Sequence, residues 1–578
     1  MNPRLAARVA ALAAALAASA AAQPAPEAPS GWTSKAPVDA TRYIAATANG
    51  HATDAATLVL SRGGSAVDAA IAAQLVLGLV EPQSSGIGGG AFLLVHDPRD
   101  RRLRAYDGRE TAPAAARPDR FLDADGRPLA FRDAVAGGAS VGTPGVLRAL
   151  ELAHRRHGRR PWAELFEPAI ALAERGFEVS ERLATLIAAD PLIAASASAR
   201  AYFHGADGRP LASGSRLVNA AYAATLRAIA AGGADAFYRG AIARDIVATV
   251  RSAHRPGDLT EDDLAGYRAI EREPLCGSYR GYRVCGMPPP SSGATTVLAI
   301  LGMLEPYDVA AMGPGSFWSA HFLSEAARLA YADRDRYVAD PARVDVPAGI
   351  VDPAYLRERA RAIRATSSMV RAVPGMPPGA TAGPVSVIDE LSELPATSHL
   401  SIVDADGGVV SMTTTIEDAF GSRLLAAGGF LLNNQLTDFS FRPTIDDVPV
   451  ANRVEPGKRP RSSMAPTIVY DAAGRVRHVA GSPGGGAIIL YVTKAILAMV
   501  DWKLDPQAAA ALPNVGSRNG PTELEQGTPA AALAPRLAAI GHPVAVVPLT
   551  SGLHLLSRRP RGWTGGADPR REGKVGGG

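Results

Sequence analysis

The segment that begins at Thr397, TSHLSIVDADGGVVSMTTT, constrains the fold of this chain more than any other stretch. It contains two runs typical of strands, Leu400 to Val403 and Val409 to Thr415, and the sequence DADGG between them favours a hairpin turn. If the turn centres on its second aspartate, Val403 faces Val409 and the same register places Thr397 opposite Thr415. Cross-strand partners have Cβ atoms about 4.5 to 5.5 Å apart, so the two hydroxyl groups are predicted to hydrogen-bond.

A long segment without hydrophobic periodicity leads up to Thr397. Residues 366–396 are rich in Pro, Gly and Ser, a composition typical of a loop or flexible connection. A threonine hydroxyl is a poor nucleophile unless a base takes its proton, and a threonine that becomes the first residue of a chain can use its own α-amine as that base. A flexible lead that ends at Ala396 suits such a self-cleaving precursor. The alternative is that Thr397 is only a polar residue at the start of a strand.

A second feature is the sequence HVAGSPGGGAIILYVTKAIL, which predicts a strand, a glycine turn and a helix. In this arrangement the backbone amides of Gly484 and Gly485 could form an oxyanion hole at the helix N-terminus. A phosphate cradle is a competing interpretation, but no Lys-Ser/Thr pair follows the glycines as in a Walker loop. Glycines that only allow close helix-to-sheet packing are the other alternative.

The totals exclude several classes of protein. With 578 residues, 47% hydrophobic and 20% charged, the chain suits a globular protein with two or three hydrophobic cores. Its formal net charge of +4 gives no electrostatic footprint for nucleic acid.

The histidines and cysteines give no sign of a metal site. No HExxH motif is present among the 11 histidines, so we predict no catalytic metal and no cofactor; His399 fits no triad and is predicted to be structural. Cys276 and Cys285 flank a predicted hairpin connection, where either a disulfide or two free thiols is possible.

Residues 1–22 have the pattern of a secretory signal peptide. Arg4 and Arg8 precede an Ala/Leu/Val run that ends in small residues before Gln23. No other uninterrupted apolar stretch reaches about 18 residues, the length that suits a membrane span. We therefore predict a secreted protein, periplasmic or extracellular, without a membrane anchor. An Ala-rich leader with no targeting role is the alternative.

Helical patterns dominate the earlier part of the chain and strand patterns the later part, which fits a layered α+β or α/β domain. Two helices are predicted within residues 52–80, separated at Gly63-Gly64, and two strands follow them at Ala91 to Val95 and Leu103 to Tyr106. The helices predicted within residues 145–380 are Ala149 to His157, Trp162 to Ala173, Ala220 to Ala231 and Ser316 to Ala332. The later predicted elements are strands at Phe430 to Leu432, Thr467 to Tyr470 and Val476 to Ala480, and a helix at Ala487 to Val500.

Several longer motifs resemble those of the γ-glutamyltranspeptidase family. TSHLSIVDADG, FLLNNQLTDFS, KRPRSSMAPTIV and GSPGGG occur in the order and approximate spacing of that family. Upstream, GGSAVDAAIAA, EPQSSGIGGGAF, DGRETAP and MPPPSSG are also similar, as is GGADPR near the end. The resemblance covers nearly all of the chain after the signal peptide, and multi-residue matches in fixed order are more specific than any single motif.

The resemblance implies a fold, a maturation step and an activity. The implied fold is that of N-terminal-nucleophile hydrolases, an α+β four-layer αββα sandwich formed by two subunits cut from one precursor. Here the subunits would be residues 23–396 and 397–578, held together as a heterodimer. The implied reaction transfers the γ-glutamyl group of glutathione or a related compound to water, or to an amino-acid or peptide acceptor.

Family roles carry over to matching positions of this sequence. Thr397 would be the self-processing residue and the nucleophile, with Thr415 hydrogen-bonded to it, and Gly484 and Gly485 would form the oxyanion hole. Arg109 would clamp the α-carboxylate of a γ-glutamyl group, helped by Ser462 and Ser463. The α-ammonium group would be held by Asp438, with Gln435 and Glu417 nearby. The chemistry of the side chains agrees with these roles apart from the resemblance, because an arginine pairs with a carboxylate and an acid pairs with an ammonium.

Two departures from the family pattern leave questions open. Glu417 stands where the family often has an amide, although acidic versions look compatible. The segment SFRPTIDDVPVANRVEPG, which corresponds to a lid in many members, is shorter here and has no Tyr or Trp, so we predict an open or partial lid. The runner-up function is an acylase for glutaryl or cephalosporin side chains, which would not need the ammonium ligand Asp438. A non-catalytic binding protein is disfavoured by the intact Thr397, Thr415, Gly484 and Gly485.

Overall fold

Two seven-stranded antiparallel sheets form the centre of the part of the chain that the structure describes, residues 30–380 and 396–578 of a computed structural model. We call the sheet that contains Thr397 the Thr397 sheet, and the sheet that contains Thr467 the Thr467 sheet. The predicted signal peptide lies outside the described residues, as do residues 381–395 of the predicted linker.

The predicted hairpin lies at the centre of the Thr397 sheet. From one edge to the other, its strands are Lys574–Gly577, Ile44–Thr47, Ala396–Val403, Val409–Glu417, Gly90–Asp97, Arg102–Gly108 and Ile270–Arg272. The hairpin is thus inserted between strands that precede Thr397 in the chain. Backbone hydrogen bonds on both sides would hold the two parts of the chain together after cleavage at Thr397.

The Thr467 sheet is assembled from distant parts of the sequence. Its strands, in spatial order, are Val38–Ala40, Trp563–Ala567, His554–Arg558, Val476–Ala480, Thr467–Tyr470, Tyr282–Gly286 and Leu275–Tyr279. The strands predicted at Thr467 and Val476 are confirmed with the predicted bounds. Cys276 lies opposite Cys285 in the edge hairpin, and the two form a disulfide.

Helices cover the outer faces of both sheets, which gives the predicted four-layer arrangement. Gly50–Ser61 and Ala66–Val80 pack on the Thr397 sheet, and Gly293–Leu304 and Ile488–Val500 pack on the Thr467 sheet. Because side chains alternate along a strand, every residue of the strand Gly90–Asp97 is buried, against the helices on one face and toward the second sheet on the other. Each fully buried Leu or Phe side chain contributes about 1.5 to 3 kcal/mol to this core.

The predicted helices are found, with shifted bounds. Ser65 caps the helix Ala66–Val80 through a capping box with Asp68, which explains the restart after Gly63-Gly64. The other α-helices are Phe131–Val135, Val146–His157, Glu167–Arg175, Glu181–Ala189, Pro191–Ala195, Ala197–Phe203, Ala220–Gly232, Asp235–Tyr238, Gly240–Arg251, Glu261–Gly266, Val309–Met312, Phe317–Tyr337, Pro353–Ala360, Pro506–Ala511 and Ala534–Ala539. Short 3-10 helices are Gly138–Ser140, Trp162–Phe166, Ala348–Val351, Gln435–Asp438, Gly485–Ala487 and Pro529–Leu533. Within the described residues, none of the helices combines the length and apolar character needed to cross a membrane.

Two sequence predictions need correction. The strand predicted at Phe430 to Leu432 is wrong, because this segment makes only isolated bridges. The helix predicted from Trp162 to Ala173 is two elements, since Pro168 has no N–H to continue the first one and lies in the first turn of the second. The lid segment contains a two-stranded ribbon, Thr444–Ile445 with Val448–Pro449. Two small sheets were not predicted from the sequence: Phe177–Glu178 with Arg216–Leu217, and Val515–Gly516, Thr522–Glu525 and Val544–Val547.

Candidate active site

The hairpin at Thr397 forms in the predicted register. Val403 pairs with Val409 and Thr397 with Thr415, and the Thr397 hydroxyl donates a hydrogen bond to Thr415 Oγ1 at 3.2 Å. The register shifts between Ala396 and Thr397, at the bond that the precursor is predicted to cleave. Thr415 in turn donates to the carbonyl oxygen of Ala396 at 2.7 Å. The hydroxyl of Thr415 therefore touches both the predicted nucleophile and the carbonyl that it would attack.

A small cavity opens in front of Thr397. Nine of the ten predicted site residues line it: Arg109, Thr397, Thr415, Glu417, Gln435, Asp438, Ser462, Ser463 and Gly485. Sequence reasoning missed two apolar lining residues, Met464 and Ile488. Met464 directly follows the serine pair and Ile488 begins the helix after the glycine turn, so their positions beside predicted site residues were the available signal.

Gly484, the tenth predicted residue, lies in the turn immediately before Gly485. The two glycines have φ values of 138° and 53°, in the region that favours glycine. A Cβ atom on Gly484 would lie 2.5 Å from Cε2 of Tyr491. The hydroxyl of Tyr331 donates to the carbonyl oxygen of Gly486 at 2.5 Å. The turn is thus held from both sides in a conformation that requires glycine.

Arg109 and Asp438 form a buried ion pair at the cavity wall. Arg109 follows the strand Arg102–Gly108 and is 1% exposed, and Asp438 ends the 3-10 helix Gln435–Asp438. The Arg109 guanidinium donates to Asp438, and also to the carbonyl oxygen of Arg461 at 2.7 Å. Gln435 donates to the same Asp438 oxygen at 2.6 Å. A cation and an anion are thus presented side by side, as a zwitterionic ligand requires.

Glu417 is a buried acid in a strained backbone conformation. Its φ is 82°, which is uncommon for a residue other than glycine. Its Oε2 atom accepts hydrogen bonds from the amide of Asn434 and from the hydroxyl of Thr437. Burial, followed by the neighbouring carboxylate of Asp438, raises the pKa of Glu417 well above its ordinary value. The raised pKa favours the neutral form of this carboxyl, which resembles an amide in charge.

The serine pair presents two hydroxyls to the cavity from the loop before the strand Thr467–Tyr470. Ser462 Oγ accepts a hydrogen bond from the backbone N–H of Met464 at 3.1 Å. Ser463 Oγ accepts one from Arg334 at 2.7 Å. Since each oxygen is used as an acceptor, each hydroxyl retains its proton for donation to an anion in the cavity.

The histidines are placed away from this chemistry. His399 is fully buried, contacts the hydroxyls of Thr413 and Ser401, and has a pKa well below its ordinary value because of burial and the neighbouring His554. A second buried group, His321, Glu325 and His542, could hold a metal by its residue types. In this group, however, the imidazoles hydrogen-bond each other at 2.7 Å, and Glu325 accepts from Arg328, Ser368 and Met369. None of these groups lines the Thr397 cavity.

Comparisons with known proteins agree with this site. The chain is 36% identical to a glutathione hydrolase proenzyme of Bacillus subtilis, over 88% of this chain and 86% of that protein. It is also 36% identical to the acylase ACY 1 proenzyme of a Pseudomonas species, over 94% of this chain and 95% of that protein. A crystal structure of a cephalosporin acylase from Bacillus halodurans superimposes with a TM-score of 0.82 at 27% identity, covering 94% of this chain and 97% of that one.

The family profile described as gamma-glutamyltranspeptidase matches residues 52–578. This range contains both sheets except for the two strands nearest the start of the described residues, and it contains every residue of the cavity lining. The structural relative at 0.82 confirms the layered α+β fold. The chain therefore belongs to the γ-glutamyltranspeptidase family and is an enzyme of the N-terminal-nucleophile hydrolase type.

Proposed function

We propose that this enzyme matures by cleaving its own chain before Thr397 and then hydrolyses γ-glutamyl amides such as glutathione, or transfers their γ-glutamyl group to an amino-acid or peptide amine. The observation that carries the proposal is that Thr397 lines the same cavity as Arg109 and Asp438, which form an ion pair. Known relatives named glutathione hydrolase proenzyme support both the maturation and the substrate class.

The hydrogen bonds around Ala396 support a mechanism for self-cleavage. The Thr397 hydroxyl donates to Thr415, whose hydroxyl donates to the Ala396 carbonyl oxygen. Attack of Thr397 Oγ1 on that carbonyl carbon would pass the hydroxyl proton toward Thr415, while Thr415 stabilises the negative charge that develops on the oxygen. The Thr397 nitrogen takes up the transferred proton and leaves as a free amine, which turns the peptide into an ester, and water then hydrolyses this ester and releases the Ala396 carboxylate. The products are residues 23–396 and 397–578, the second with a free α-amine.

The same nucleophile would then act on substrate. With its own α-amine as the base, Thr397 Oγ1 attacks the γ-amide carbonyl, and the amides of Gly484 and Gly485 receive the oxyanion. The amine leaves with a proton, and a γ-glutamyl ester of Thr397 remains. Water or an acceptor amine resolves this ester, so ping-pong kinetics are expected.

The α-amino-acid head of the substrate suits the ion pair. Its carboxylate would bind Arg109 with the hydroxyls of Ser462 and Ser463, and its ammonium would bind Asp438 with Gln435 and Glu417. Insertion of such a head exchanges one buried ion pair for two, so the charges of Arg109 and Asp438 stay compensated throughout. A glutaryl group lacks the ammonium and would leave Asp438 paired only with protein groups.

The second candidate function is that of an acylase for glutaryl or cephalosporin side chains. Its support is the similarity to the acylase ACY 1 proenzyme and to the cephalosporin acylase structure, both of which span nearly the whole chain. The two candidates share the nucleophile and the oxyanion turn. They differ in the substrate group that would lie beside Asp438, which is an ammonium in a γ-glutamyl substrate and is absent from a glutaryl substrate.

The test begins with the intact mass and the N-terminal sequence of every fragment of the purified protein. We expect two fragments, the smaller beginning at Thr397, and a single uncut chain from Thr397→Ala. Rates on γ-glutamyl and glutaryl p-nitroanilides then compare the two candidates. A faster γ-glutamyl reaction supports the proposal; a faster glutaryl reaction overturns it in favour of the acylase.

We also propose that residues 1–22 direct the protein out of the cytoplasm. The charged, apolar and small-residue order of that segment supports this location. The expected mature protein begins after Ala22 and is found in the periplasmic or culture fraction. Recovery of a cytoplasmic protein that retains residues 1–22 would contradict it.

A further inference from the structure

Arg334 is a buried arginine that reaches the substrate cavity only through other residues. It lies on the helix Phe317–Tyr337 and is 5% exposed. Its Nη2 atom donates to Ser463 Oγ at 2.7 Å, and its Nε atom donates to Ser292 Oγ at 2.8 Å. Ser463 lines the cavity, whereas Arg334 and Ser292 are not among the lining residues. One guanidinium thus donates to two serine hydroxyls, of which the Ser463 hydroxyl lies at the cavity wall and the Ser292 hydroxyl lies behind it.

The second of these hydroxyls holds the backbone of the serine pair. Ser292 Oγ donates to the carbonyl oxygen of Ser462 at 2.7 Å, and the Ser292 N–H donates to the same oxygen at 2.7 Å. The adjacent Ser291 hydroxyl donates to the carbonyl oxygen of Met464 at 2.6 Å. The MPPPSSG motif, which contains both serines, therefore forms a bracket for the chain from Ser462 to Met464. Arg334 connects that bracket to the Ser463 hydroxyl.

The direction of these hydrogen bonds determines what Ser463 can offer a ligand. A guanidinium only donates hydrogen bonds, so the Ser463 oxygen must act as the acceptor and its proton points elsewhere. A lysine would offer a single ammonium in place of this planar fork, so it cannot reach Ser463 and Ser292 together, and Arg334→Lys gives up at least one of the two hydrogen bonds. The Ser463 hydroxyl is consequently preset as a donor at the end of the cavity where Arg109 binds the carbonyl oxygen of Arg461.

A buried carboxylate also contacts Arg334. Arg334 donates to Asp335 at 2.7 Å, and the guanidinium of Arg461 lies 3.7 Å from the same carboxylate oxygen. Two buried arginines therefore share this carboxylate behind the serine pair.

We propose that Arg334 is a positioning residue that makes the Ser463 hydroxyl a hydrogen-bond donor for the α-carboxylate of the substrate, and that it thereby sets the selectivity for acyl groups that carry this carboxylate. The inference rests on the proposed function and deepens it. Because the α-carboxylate is remote from the reacting carbonyl, the interaction is made equally in the ground state and the transition state. Loss of Arg334 should therefore raise KM and leave kcat nearly unchanged.

The test compares Arg334→Lys with the wild type on three p-nitroanilides. The γ-glutamyl and glutaryl compounds carry the carboxylate, and the 4-aminobutyryl compound lacks it. We expect KM to rise about ten-fold on the first two, the size expected for one charge-assisted hydrogen bond, with kcat changed less than about two-fold. On the 4-aminobutyryl compound kcat/KM should be unchanged. An equal loss on all three compounds would overturn the proposal.

Two further variants separate positioning from folding. In a Ser463→Ala background the Arg334→Lys change should have no additional effect on KM, whereas additive effects would contradict the proposal. Ser292→Ala removes one arm of the bracket without touching a charge, and should raise KM about three-fold for carboxylate-bearing compounds alone. If Arg334→Lys fails to self-cleave, Ser292→Ala is measured in its place on the same three compounds. An equal loss of kcat/KM on all three then overturns the proposal.

The matched control is Arg328→Lys, the same change at another buried arginine of the same helix. Arg328 donates to Thr522 and to the carbonyl oxygen of Val370, and it does not line the cavity. A general weakening of the helix would lower activity on all three compounds in both variants. The wild-type rate on the γ-glutamyl compound tests the proposed function separately. The effect of Arg334→Lys is the ratio of its KM to that of the wild type, and this ratio can also be measured with the glutaryl compound if the γ-glutamyl compound is not turned over.

Discussion

The hydroxyl of Thr415 donates a 2.7 Å hydrogen bond to the carbonyl oxygen of Ala396, the residue that immediately precedes the proposed nucleophile Thr397. The same oxygen atom of Thr415 accepts from the Thr397 hydroxyl and from the backbone N–H of Glu417. Three hydrogen bonds thus meet on one side chain, and their directions point its proton at the carbonyl oxygen of the residue whose peptide bond the proposed self-cleavage would break.

Thr415→Val should slow self-cleavage about 100-fold, the usual effect of removing one donor from a developing oxyanion. Valine has nearly the same shape, so the β-hairpin should form as before. The measurement is a time course of precursor and fragments on denaturing gels after expression is stopped. Thr415→Ser retains the hydroxyl and should cleave within about ten-fold of the wild-type rate; equal rates for the valine and serine variants would contradict this role.

Asp438→Asn should lower kcat/KM for γ-glutamyl p-nitroanilide at least about 100-fold, because the substrate ammonium would lose its anionic partner in a buried site. The glutaryl compound has no ammonium, and its turnover should be retained. Both rates are measured on protein that has completed self-cleavage. A parallel loss of both activities would mean that Asp438 acts by holding Arg109, its ion-pair partner, rather than by binding the ammonium.

Gly484→Ala should lower kcat about 100-fold while Thr397 still lines the cavity. At φ 138° an alanine is strained, and its Cβ atom would lie 2.5 Å from the ring of Tyr491, so the turn that is proposed to hold the oxyanion must move. Steady-state kinetics and thermal unfolding are both measured. The control is Gly474→Ala, also at positive φ but with no heavy atom within 4 Å of the added Cβ, which should cost about 1 kcal/mol and leave kcat unchanged.

Glu110→Gln should stabilise the protein at alkaline pH. Burial raises the pKa of Glu110 to about 8, so this acid stays protonated in the folded protein while it ionises in the unfolded chain above about pH 4.5. The folded state binds the extra proton, so the contribution of Glu110 to stability is complete at low pH and is lost as the pH rises toward 8. The slope for one such group is about 1.4 kcal/mol per pH unit.

The check is the difference in unfolding temperature between Glu110→Gln and the wild type at pH 5 and at pH 8. We expect the variant to gain at pH 8 and to change little at pH 5. Glu81, whose pKa is also raised to about 8, is common to both proteins and cancels in the difference. The same difference at both pH values would show that Glu110 does not titrate in this range.

Much of the catalytic hairpin could be predicted from local sequence alone. The DADGG turn and the alternation of side chains on its flanking strands determine the register, so the contact between Thr397 and Thr415 follows from residues within one short segment. The capped helix Ala66–Val80 was predictable for the same reason, because Ser65 and Asp68 lie within one turn. The resemblance of the motifs to those of the γ-glutamyltranspeptidase family also indicated nine of the eleven residues that line the cavity.

Only the tertiary structure decided how distant segments meet. Arg109 and Asp438 are 329 positions apart, and Arg334 reaches Ser463 across 129 positions, contacts that no local periodicity encodes. The strands Ile44–Thr47 and Lys574–Gly577 are short, and their pairing depends on a neighbouring strand supplied by the fold. The raised pKa of Glu417 likewise depends on tertiary packing, because it is caused by burial and by the neighbouring carboxylate of Asp438. The sequence by itself thus determined the chemistry and the hairpin that carries it, whereas the selectivity of the site depends on side chains that long-range packing brings together.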